Sequence, residues 1–241
     1  MSVTLDGTVD VKGETNAWTA SFTGLPKNYQ GTVINYTVKE TTAFSGYTAD
    51  KESVKSGETI TNTQDIGSLT ITKTLSGDVT AEEAEGGLKF TVKNSAGKFL
   101  KADGTLTESE EEGSLTLKDF ATSDKKTYTL TFTGNKALAV DTYTVTETNS
   151  AIEGYTESVS YSLNGSNKAD GKGKDIAVKV EKNDTDVLVI EDNYTRNKGT
   201  IVLTKTIKGD VTPEEIAGAL SFIIECADEG KEGTYLMKDG T

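Results

Sequence analysis

The sequence predicts an all-β fold, because short alternating runs fill the chain and turn residues separate them. Threonine, valine, tyrosine and glycine are frequent, whereas proline occurs 2 times in 241 residues. Runs such as SLTITKTL, TYTLTFTG and DTYTVTET place apolar side chains at every second residue. This period of two is that of a strand with one buried face, and many such short strands are typical of antiparallel sandwiches or barrels.

A block of 25 residues occurs twice and divides the chain into segments. SLTITKTLSGDVTAEEAEGGLKFTV begins at Ser68, and TIVLTKTIKGDVTPEEIAGALSFII begins 132 residues later at Thr200; 12 of the 25 aligned positions are identical. A repeat of this length predicts tandem domains. We expect a first domain over 1–66, a second over 67–198, and the start of a further repeat over 199–241, which is too short to complete the unit.

The individual elements follow the same alternation in each segment. We expect strands at SVTLDGTV, AWTASF, VINYTVKE and ETITNTQ; then at SLTITKTL, GLKFTVKN, GSLTLKDF, TYTLTFTG, DTYTVTET, ESVSYSLN, DIAVKVEK and DVLVIEDNY; and finally at TIVLTKTI and ALSFIIECA. Two short helices are predicted at DVTAEEAEGG and DVTPEEIAGA, where Asp or Thr can cap and acidic residues occupy the first turn. Pro213 falls in the first turn of the second helix, where its missing N–H is tolerated.

Composition excludes several classes of function. The net charge of −13 argues against nucleic acid and anionic membrane surfaces as partners. The absence of histidine removes Ser-His and Cys-His catalysis and histidine metal ligands, and the single Cys226 allows no disulfide within one chain. No apolar run approaches the roughly 20 residues of a membrane helix. We therefore expect no cofactor, no metal, no nucleic acid and no membrane insertion, in a piece of a longer exported protein.

A lysine interrupts an apolar strand face at the same place in both repeats. Lys73 shares its face with Leu69, Ile71 and Leu75. Lys205 has the same position among Ile201, Leu203 and Ile207 in the second copy. An inward lysine is costly unless it is paired or neutral, so its recurrence predicts a function.

Inward carboxyl and amide side chains break other strand faces. Glu147 continues the face of Tyr143 and Val145, and Glu40 continues that of Tyr36 and Val38. A glutamate in such a place should be protonated if it is buried.

The last strand of each of the first two segments carries a further polar residue. Asp192 is in phase with Leu188, Ile190 and Tyr194, and Asn62 is in phase with Ile60. Asn193 has the opposite parity unless a bulge shifts it.

An inward lysine, glutamate and Asp or Asn have one specific chemical use in common. A desolvated lysine amine is nucleophilic, and a protonated glutamate can polarise the side-chain carbonyl of Asp or Asn and transfer protons. Attack produces an amide between the two side chains and releases water from Asp or ammonia from Asn. The reaction occurs once and requires no cofactor.

The chain resembles the Cna B-type and related pilin isopeptide domains of Gram-positive surface proteins. The first segment carries Trp18 in AWTASF, then GLPK at 24–27, YTVKE at 36–40, GYT at 46–48 and TITNT at 59–63. The second carries LTITKTL, YTVTET at 143–148, GYT at 154–156 and EDNYT at 191–195, like the longer streptococcal-pilin-type unit. The resemblance implies tandem immunoglobulin-like β-sandwich domains.

By this resemblance Lys73 is the amine, Glu147 the catalytic acid, and Asp192 or Asn193 the acceptor. Asp192 is preferred because it fits the strand parity, although asparagine is the commoner acceptor in such domains. The first segment has Glu40 and Asn62 but lacks the lysine-bearing first strand, and Lys205 has no partner in the third. These three residues therefore form incomplete sites.

The resemblance implies an extracellular, cell-wall-anchored stalk or pilin-like segment of an adhesin, whose partners are neighbouring domains of the same protein. Its chemistry would be limited to the single self-cross-link, so it is not an enzyme in the ordinary sense. One alternative is a ligand-binding adhesin module that recognises host protein or glycan. Another is that the inward residues form ordinary salt bridges, with Lys73 extending to a sheet edge.

Overall fold

Residues 24–227 and 233–235 are described by the computed structural model of the protein. The chain divides into two compact units, Met1–Asn197 and Lys198–Thr241. The candidate strands SVTLDGTV and AWTASF, with Trp18, lie outside the described residues.

The first segment contains short strands in two-stranded pairs. These strands are β1 (Asn28–Tyr29), β2 (Thr32–Val33), β3 (Thr37–Lys39), β4 (Tyr47–Ala49), β5 (Ser53–Lys55) and β6 (Asn62–Gln64). β1 pairs with β2, β3 with β5, and β4 with β6. Tyr36 and Val38, expected on an inward face, are exposed, whereas Val54, which pairs with Val38, is buried.

The second segment contains long strands and short connecting ones. They are β7 (Ile66–Gly77), β8 (Lys89–Lys93), β9 (Phe99–Leu100), β10 (Leu106–Thr107), β11 (Leu115–Thr116), β12 (Ala121–Thr122), β13 (Thr127–Phe132), β14 (Leu138–Ala139), β15 (Asp141–Asn149), β16 (Tyr155–Leu163), β17 (Ala169–Asp170), β18 (Asp175–Val180) and β19 (Thr185–Arg196).

These strands form two sheets. One has the order β12-β13-β7-β19-β16-β17, with β14 also paired to β7; the other has the order β10-β9-β8-β15-β18, with β11 also paired to β8. Within the first sheet β7 and β19 run parallel, and the other pairs run antiparallel. The first long strand of the segment thus lies directly beside its last.

The inner faces of both sheets contribute to a single hydrophobic core. Leu69, Ile71 and Ile190 from one sheet belong to the same buried cluster as Phe90 and Val145 from the other. Side chains alternate along β7 and β19 between buried and partly exposed positions, as a strand with one covered face requires. The prediction of an all-β sandwich is confirmed.

Two capped helices form where the sequence predicts them. Helix α1 (Ala81–Gly87) begins after Thr80, and helix α2 (Pro213–Ile216) begins after Thr212. Each threonine hydroxyl accepts a hydrogen bond from the backbone N–H of the glutamate three residues on, which caps the first turn. Among the described residues no helix is long and apolar enough to cross a membrane.

Three expected strands differ in the structure. GSLTLKDF forms only the short β11 followed by a 3-10 helix at Leu117–Asp119, because the Asp119 carboxylate accepts a hydrogen bond from Thr116 N at 2.7 Å and turns the chain. TIVLTKTI, at 200–207, forms no strand. The matching block of the second segment, β7, pairs with β13 and β19, and among the described residues no strand pairs with 200–207. ALSFIIECA, at 219–227, forms only an isolated bridge between Glu225 and Tyr235.

Candidate functional site

Lys73 lies in the middle of β7 with its side chain pointing into the core. Its strand neighbours are Tyr128 on β13 and Ile190 on β19. The side chain is 0% exposed, so its ammonium or amine nitrogen has left water altogether. The extension of Lys73 to a sheet edge, which was the alternative to an inward lysine, does not occur.

Asp192 approaches Lys73 diagonally across the parallel strands. It pairs with Leu75, two residues beyond the position opposite Lys73, and it points to the same face. The Asp192 side chain is also fully buried, and its Oδ1 atom is in direct contact with Lys73 Nζ. The two ends of the second segment therefore meet inside the core.

Glu147 reaches the same nitrogen from the facing sheet. It lies on β15 opposite Phe90 on β8, and its Oε1 atom is 2.8 Å from Lys73 Nζ. The Phe90 ring also faces the lysine, with its centroid 5.6 Å from Nζ. Lys73 Nζ is thus enclosed by two carboxyl groups and an aromatic ring.

Burial changes the protonation of this group of side chains. Desolvation, and to a smaller extent the neighbouring Asp192, raises the pKa of Glu147 to about 7, although Lys73 opposes the rise. If both carboxyls and the lysine were ionised, the core would hold a net negative charge, which is unfavourable away from water. A protonated Glu147 leaves the group of three neutral overall.

The contacts at Lys73 are those of buried ion pairs. Within the described part of the chain, Lys73 Nζ, Asp192 Oδ1 and both carboxyl oxygens of Glu147 are buried without a hydrogen-bond partner. Buried polar atoms in this condition are uncommon, because each forgoes the hydrogen bonds it had in water. Four of them occur together here, at the point where Lys73, Asp192 and Glu147 meet.

The second oxygen of Asp192 has a partner of its own. The Tyr194 hydroxyl, from the same strand face, lies 2.9 Å from Asp192 Oδ2. The backbone carbonyl of Ser150 lies 2.7 Å from the same hydroxyl, so the single phenol proton is shared between these two acceptors. Tyr194 is fully buried, and burial together with the charge of Asp192 raises the pKa of its phenol. The tyrosine therefore remains a hydrogen-bond donor at neutral pH.

Asn193, the second candidate for the acceptor, faces away from Lys73. It pairs with Ser76 on the opposite parity, its side chain is exposed, and its Oδ1 accepts a hydrogen bond from Ser76 Oγ at 3.2 Å. No bulge interrupts the register between β7 and β19. The structure therefore brings Asp192 to Lys73 and keeps Asn193 on the outer face.

The incomplete sites have a different environment. Glu40 and Asn62 meet in the first segment, where Asn62 Nδ2 donates to the two carboxylate oxygens at 3.1 and 3.2 Å, but both residues are exposed. Lys205 is also exposed, so the expectation that it points inward is wrong for this structure. Its apolar neighbours Ile201 and Leu203 are 69% and 62% exposed, because no strand in the described part of that segment covers them.

Several residues at the site were not identified from sequence as part of it. The interaction of Phe90 with Lys73 and the contact of Ser150 with Tyr194 depend on which strands face each other, which no local pattern reveals. The sequence did place Tyr194 on the same strand face as Asp192, because the two residues have the same parity. Asp186, near the start of β19, carries the same parity and is also buried, but it accepts a hydrogen bond from Asn164 Nδ2 at 2.8 Å, in the turn after β16.

The donor atoms at the site suit proton transfer and amide formation. The Lys73 amine, the Glu147 carboxyl group with its raised pKa and the Asp192 carboxyl group meet in the buried core. Among the described residues there is no group of three or more Asp, Glu, His or Cys side chains placed to hold a metal ion.

Two family models match the chain. The model described as the Cna protein B-type domain matches residues 2–63. The model described as a domain of unknown function, DUF5979, matches residues 69–195, which is more than half of the chain. No curated protein matches it.

Solved structures show a distant likeness. The major pilin T3.2 of Streptococcus pyogenes is 16% identical, with a TM-score of 0.39, over 69% of this chain and 68% of the pilin. The major pilin T-13 of the same organism is 17% identical, with a TM-score of 0.34, over 70% and 69%. The TIE protein of Bacillus anthracis is 23% identical, with a TM-score of 0.32, over 66% and 24%. Similarity at this level carries no argument about function.

Proposed function

Since the chain belongs to the DUF5979 family and carries a match to the Cna protein B-type domain before it, we propose that it is a stalk segment of a Gram-positive surface protein. The stalk is stabilised by an amide bond that the second segment forms between its own Lys73 and Asp192. One observation carries this proposal: Lys73 Nζ is buried in direct contact with Asp192 Oδ1 and lies 2.8 Å from Glu147.

The reaction balances without any added reagent. A proton first passes from the Lys73 ammonium to the Asp192 carboxylate. The resulting neutral amine attacks Cγ of the Asp192 acid, and a new C–N bond forms. Glu147 gives its proton to the departing hydroxyl of Asp192, which leaves as water, and then recovers a proton from the nitrogen. The products are one secondary amide, one water molecule and a Glu147 that is again protonated.

The bond also removes an unfavourable arrangement from the core. A buried ion pair gains from its Coulomb attraction only if the remaining polar atoms are hydrogen-bonded. Here the facing atoms of Lys73, Asp192 and Glu147 lack such partners among the described residues. Condensation replaces an ammonium and a carboxylate by one neutral amide, so the charge that had to be buried disappears.

The position of the bond suits a protein that bears tension. β7 begins the second segment and β19 ends it, and the two strands are neighbours. A force applied to the ends of this segment reaches these strands first. A covalent link between them passes the force across the sheet without unfolding the residues between Lys73 and Asp192.

This role implies an extracellular location and neighbouring domains of the same protein as partners. Contacts between the first and second segments fit such an array. Lys182 Nζ lies 2.8 Å from the Asp65 carboxylate and donates to Thr48 Oγ1 at 2.6 Å. The backbone N–H of Val140 donates to the carbonyl of Asp65. These contacts restrain the junction at Asp65–Gly67.

The intact mass of the folded protein tests the proposal. We expect a mass that is lower than the sequence mass by one water molecule, and a Lys73–Asp192 linked peptide after digestion. A deficit of one ammonia would assign the acceptor to Asn193. The matched control is Lys73→Met, which removes the amine and should restore the full sequence mass. A full sequence mass in the folded wild-type protein would overturn the proposal.

A further inference from the structure

The two oxygens of Asp192 have different environments. Oδ1 is in contact with Lys73 Nζ and has no hydrogen-bond partner in the described structure. Oδ2 lies 2.9 Å from the Tyr194 hydroxyl. A carboxyl group that is held by one oxygen cannot exchange its two oxygens by rotating about the Cβ–Cγ bond. The environment therefore distinguishes two atoms that are chemically equivalent in water.

From this asymmetry we infer that Tyr194 is a fourth residue of the cross-linking site, which holds Asp192 Oδ2 as the oxygen of the future amide and leaves Oδ1 to depart as water. The inference rests on the proposed function, because it concerns the same bond. It assigns a distinct fate to each oxygen.

The position of the tyrosine hydroxyl is itself restrained. Its second contact is the backbone carbonyl of Ser150 at 2.7 Å, and a backbone atom in a folded loop is a stable anchor. The Tyr194 ring packs edge-on against Tyr155, with centroids 6.1 Å apart. The hydroxyl is therefore already in place before the reaction, which is what preorganised stabilisation of a developing charge requires.

The step follows from these positions. When Lys73 Nζ attacks Cγ, the electron pair of the carbonyl bond moves to Oδ2. The phenol has a single proton, and it can shift from the Ser150 carbonyl toward Oδ2 as negative charge accumulates there. The Oδ1 hydroxyl takes the proton of Glu147 and leaves as water. Oδ2 then re-forms its double bond and becomes the amide oxygen, still facing Tyr194.

The raised pKa of Tyr194 is consistent with this role, because a buried phenol that stays protonated is a donor throughout the reaction. A structural tyrosine would behave differently. It would contribute to packing and stability but would not affect how fast the bond forms once the domain has folded. The rate in folded protein therefore separates the two roles.

The test is a pulse–chase experiment on the full chain. The protein is made in a cell-free system, synthesis is stopped, and samples are quenched in denaturant at increasing times, so that mass reports the cross-linked fraction. Protease resistance reports folding in parallel. We expect Tyr194→Phe to fold and to form the bond about 100-fold more slowly than wild type, which is the typical effect of removing one such donor.

The matched control is Tyr143→Phe. Tyr143 is also buried, and its hydroxyl donates to the backbone carbonyl of Ala139 at 3.2 Å. It lies on the same strand as Glu147 but makes no described contact with the carboxyl oxygens of Asp192. This variant should form the bond at the wild-type rate. A folded Tyr194→Phe protein that also reacts at the wild-type rate would overturn the inference.

A structural measurement decides the matter if Tyr194→Phe does not fold. In a high-resolution crystal structure of the mature wild-type protein, the amide oxygen should face the Tyr194 hydroxyl at hydrogen-bond distance. An amide nitrogen in that place would overturn the inference. A full sequence mass in folded wild-type protein would instead overturn the proposed function itself, so the two failures are distinguishable.

Discussion

Lys73 and Asp192 lie diagonally across a parallel strand pair, with Asp192 two residues beyond the position that pairs with Lys73. Both side chains point to the core face, and both are fully buried. A directly opposite carboxylate would have to bend back to meet the long lysine side chain. With this diagonal offset the Lys73 side chain reaches Asp192 Oδ1 along the strand direction.

Replacing Glu147 by glutamine should leave a folded domain without the cross-link. Glutamine keeps the size of the side chain but cannot give up an acidic proton, so the cross-linked fraction should fall from nearly complete to nearly none. Intact mass measures the fraction, and circular dichroism verifies the fold. The control is Glu191→Gln, one residue before Asp192 but paired on the outer face with Lys168. A mass deficit that survives in Glu147→Gln would show that Glu147 is only a core residue.

The rate of cross-linking should fall as the pH rises above about 7. Burial raises the pKa of Glu147 from 4.5 to about 7, so the acid form that donates the proton is present below that value and is lost above it. This is the reverse of a reaction limited by a carboxylate base. The pulse–chase measurement between about pH 6 and about pH 8 would report the trend. A rate that increases through this window would contradict the role of Glu147 as a proton donor.

The cross-link should prevent extension of the 118 residues that separate Lys73 from Asp192. Pulling on the ends of 67–198 should extend only the short strand ends outside the bond. Without the bond, the same segment should release roughly 400 Å more contour length. Single-molecule force spectroscopy compares wild type with Lys73→Ala and with Glu147→Gln, which retains every buried side-chain volume.

The loss of the bond should also lower thermal stability. Closing a loop of this size contributes about 4–5 kcal/mol by analogy with disulfides, less any strain. Glu147→Gln reports this effect, whereas Lys73→Ala also leaves buried carboxyl groups without a cation.

If wild type and both variants unfold at a similar force and with a similar extension, the stalk role loses its physical basis. The ligand-binding adhesin module would then be the better interpretation.

Any side chain at Gly77, at the end of β7, should lower the stability of the domain. It has φ +83, and a Cβ atom there would lie 2.1 Å from the carbonyl oxygen of Tyr194. Gly154 has the same φ of +83 but has nothing within 4 Å of that position. In the Glu147→Gln background, Gly154→Ala reports the backbone strain alone, which costs about 1–3 kcal/mol. Gly77→Ala should cost about 2 kcal/mol more by thermal or denaturant unfolding. Equal losses would show that β19 can move away from Gly77.

Parity along each strand was readable from the sequence. The alternation around Leu69, Ile71 and Leu75 predicted an inward Lys73, and the same reasoning applied to Glu147 and Asp192. It also separated Asp192 from Asn193, because adjacent residues of a regular strand point to opposite faces. The helix starts at Thr80 and Thr212 could also be predicted from nearby residues, since a capping residue and its partner are three residues apart. These features depend only on neighbouring residues.

The partners of each strand were decided by the tertiary structure. Nothing in the alternation of β7 states that β19 lies beside it in parallel, or that Glu147 reaches Lys73 from the opposite sheet. The same limit explains Lys205, whose sequence context matches that of Lys73 but whose block, residues 200–207, forms no strand. A strand is completed by hydrogen bonds and packing from distant residues, and only the folded sandwich supplies them. For this reason the sequence determined which side chains point inward, whereas the fold determined which of them meet.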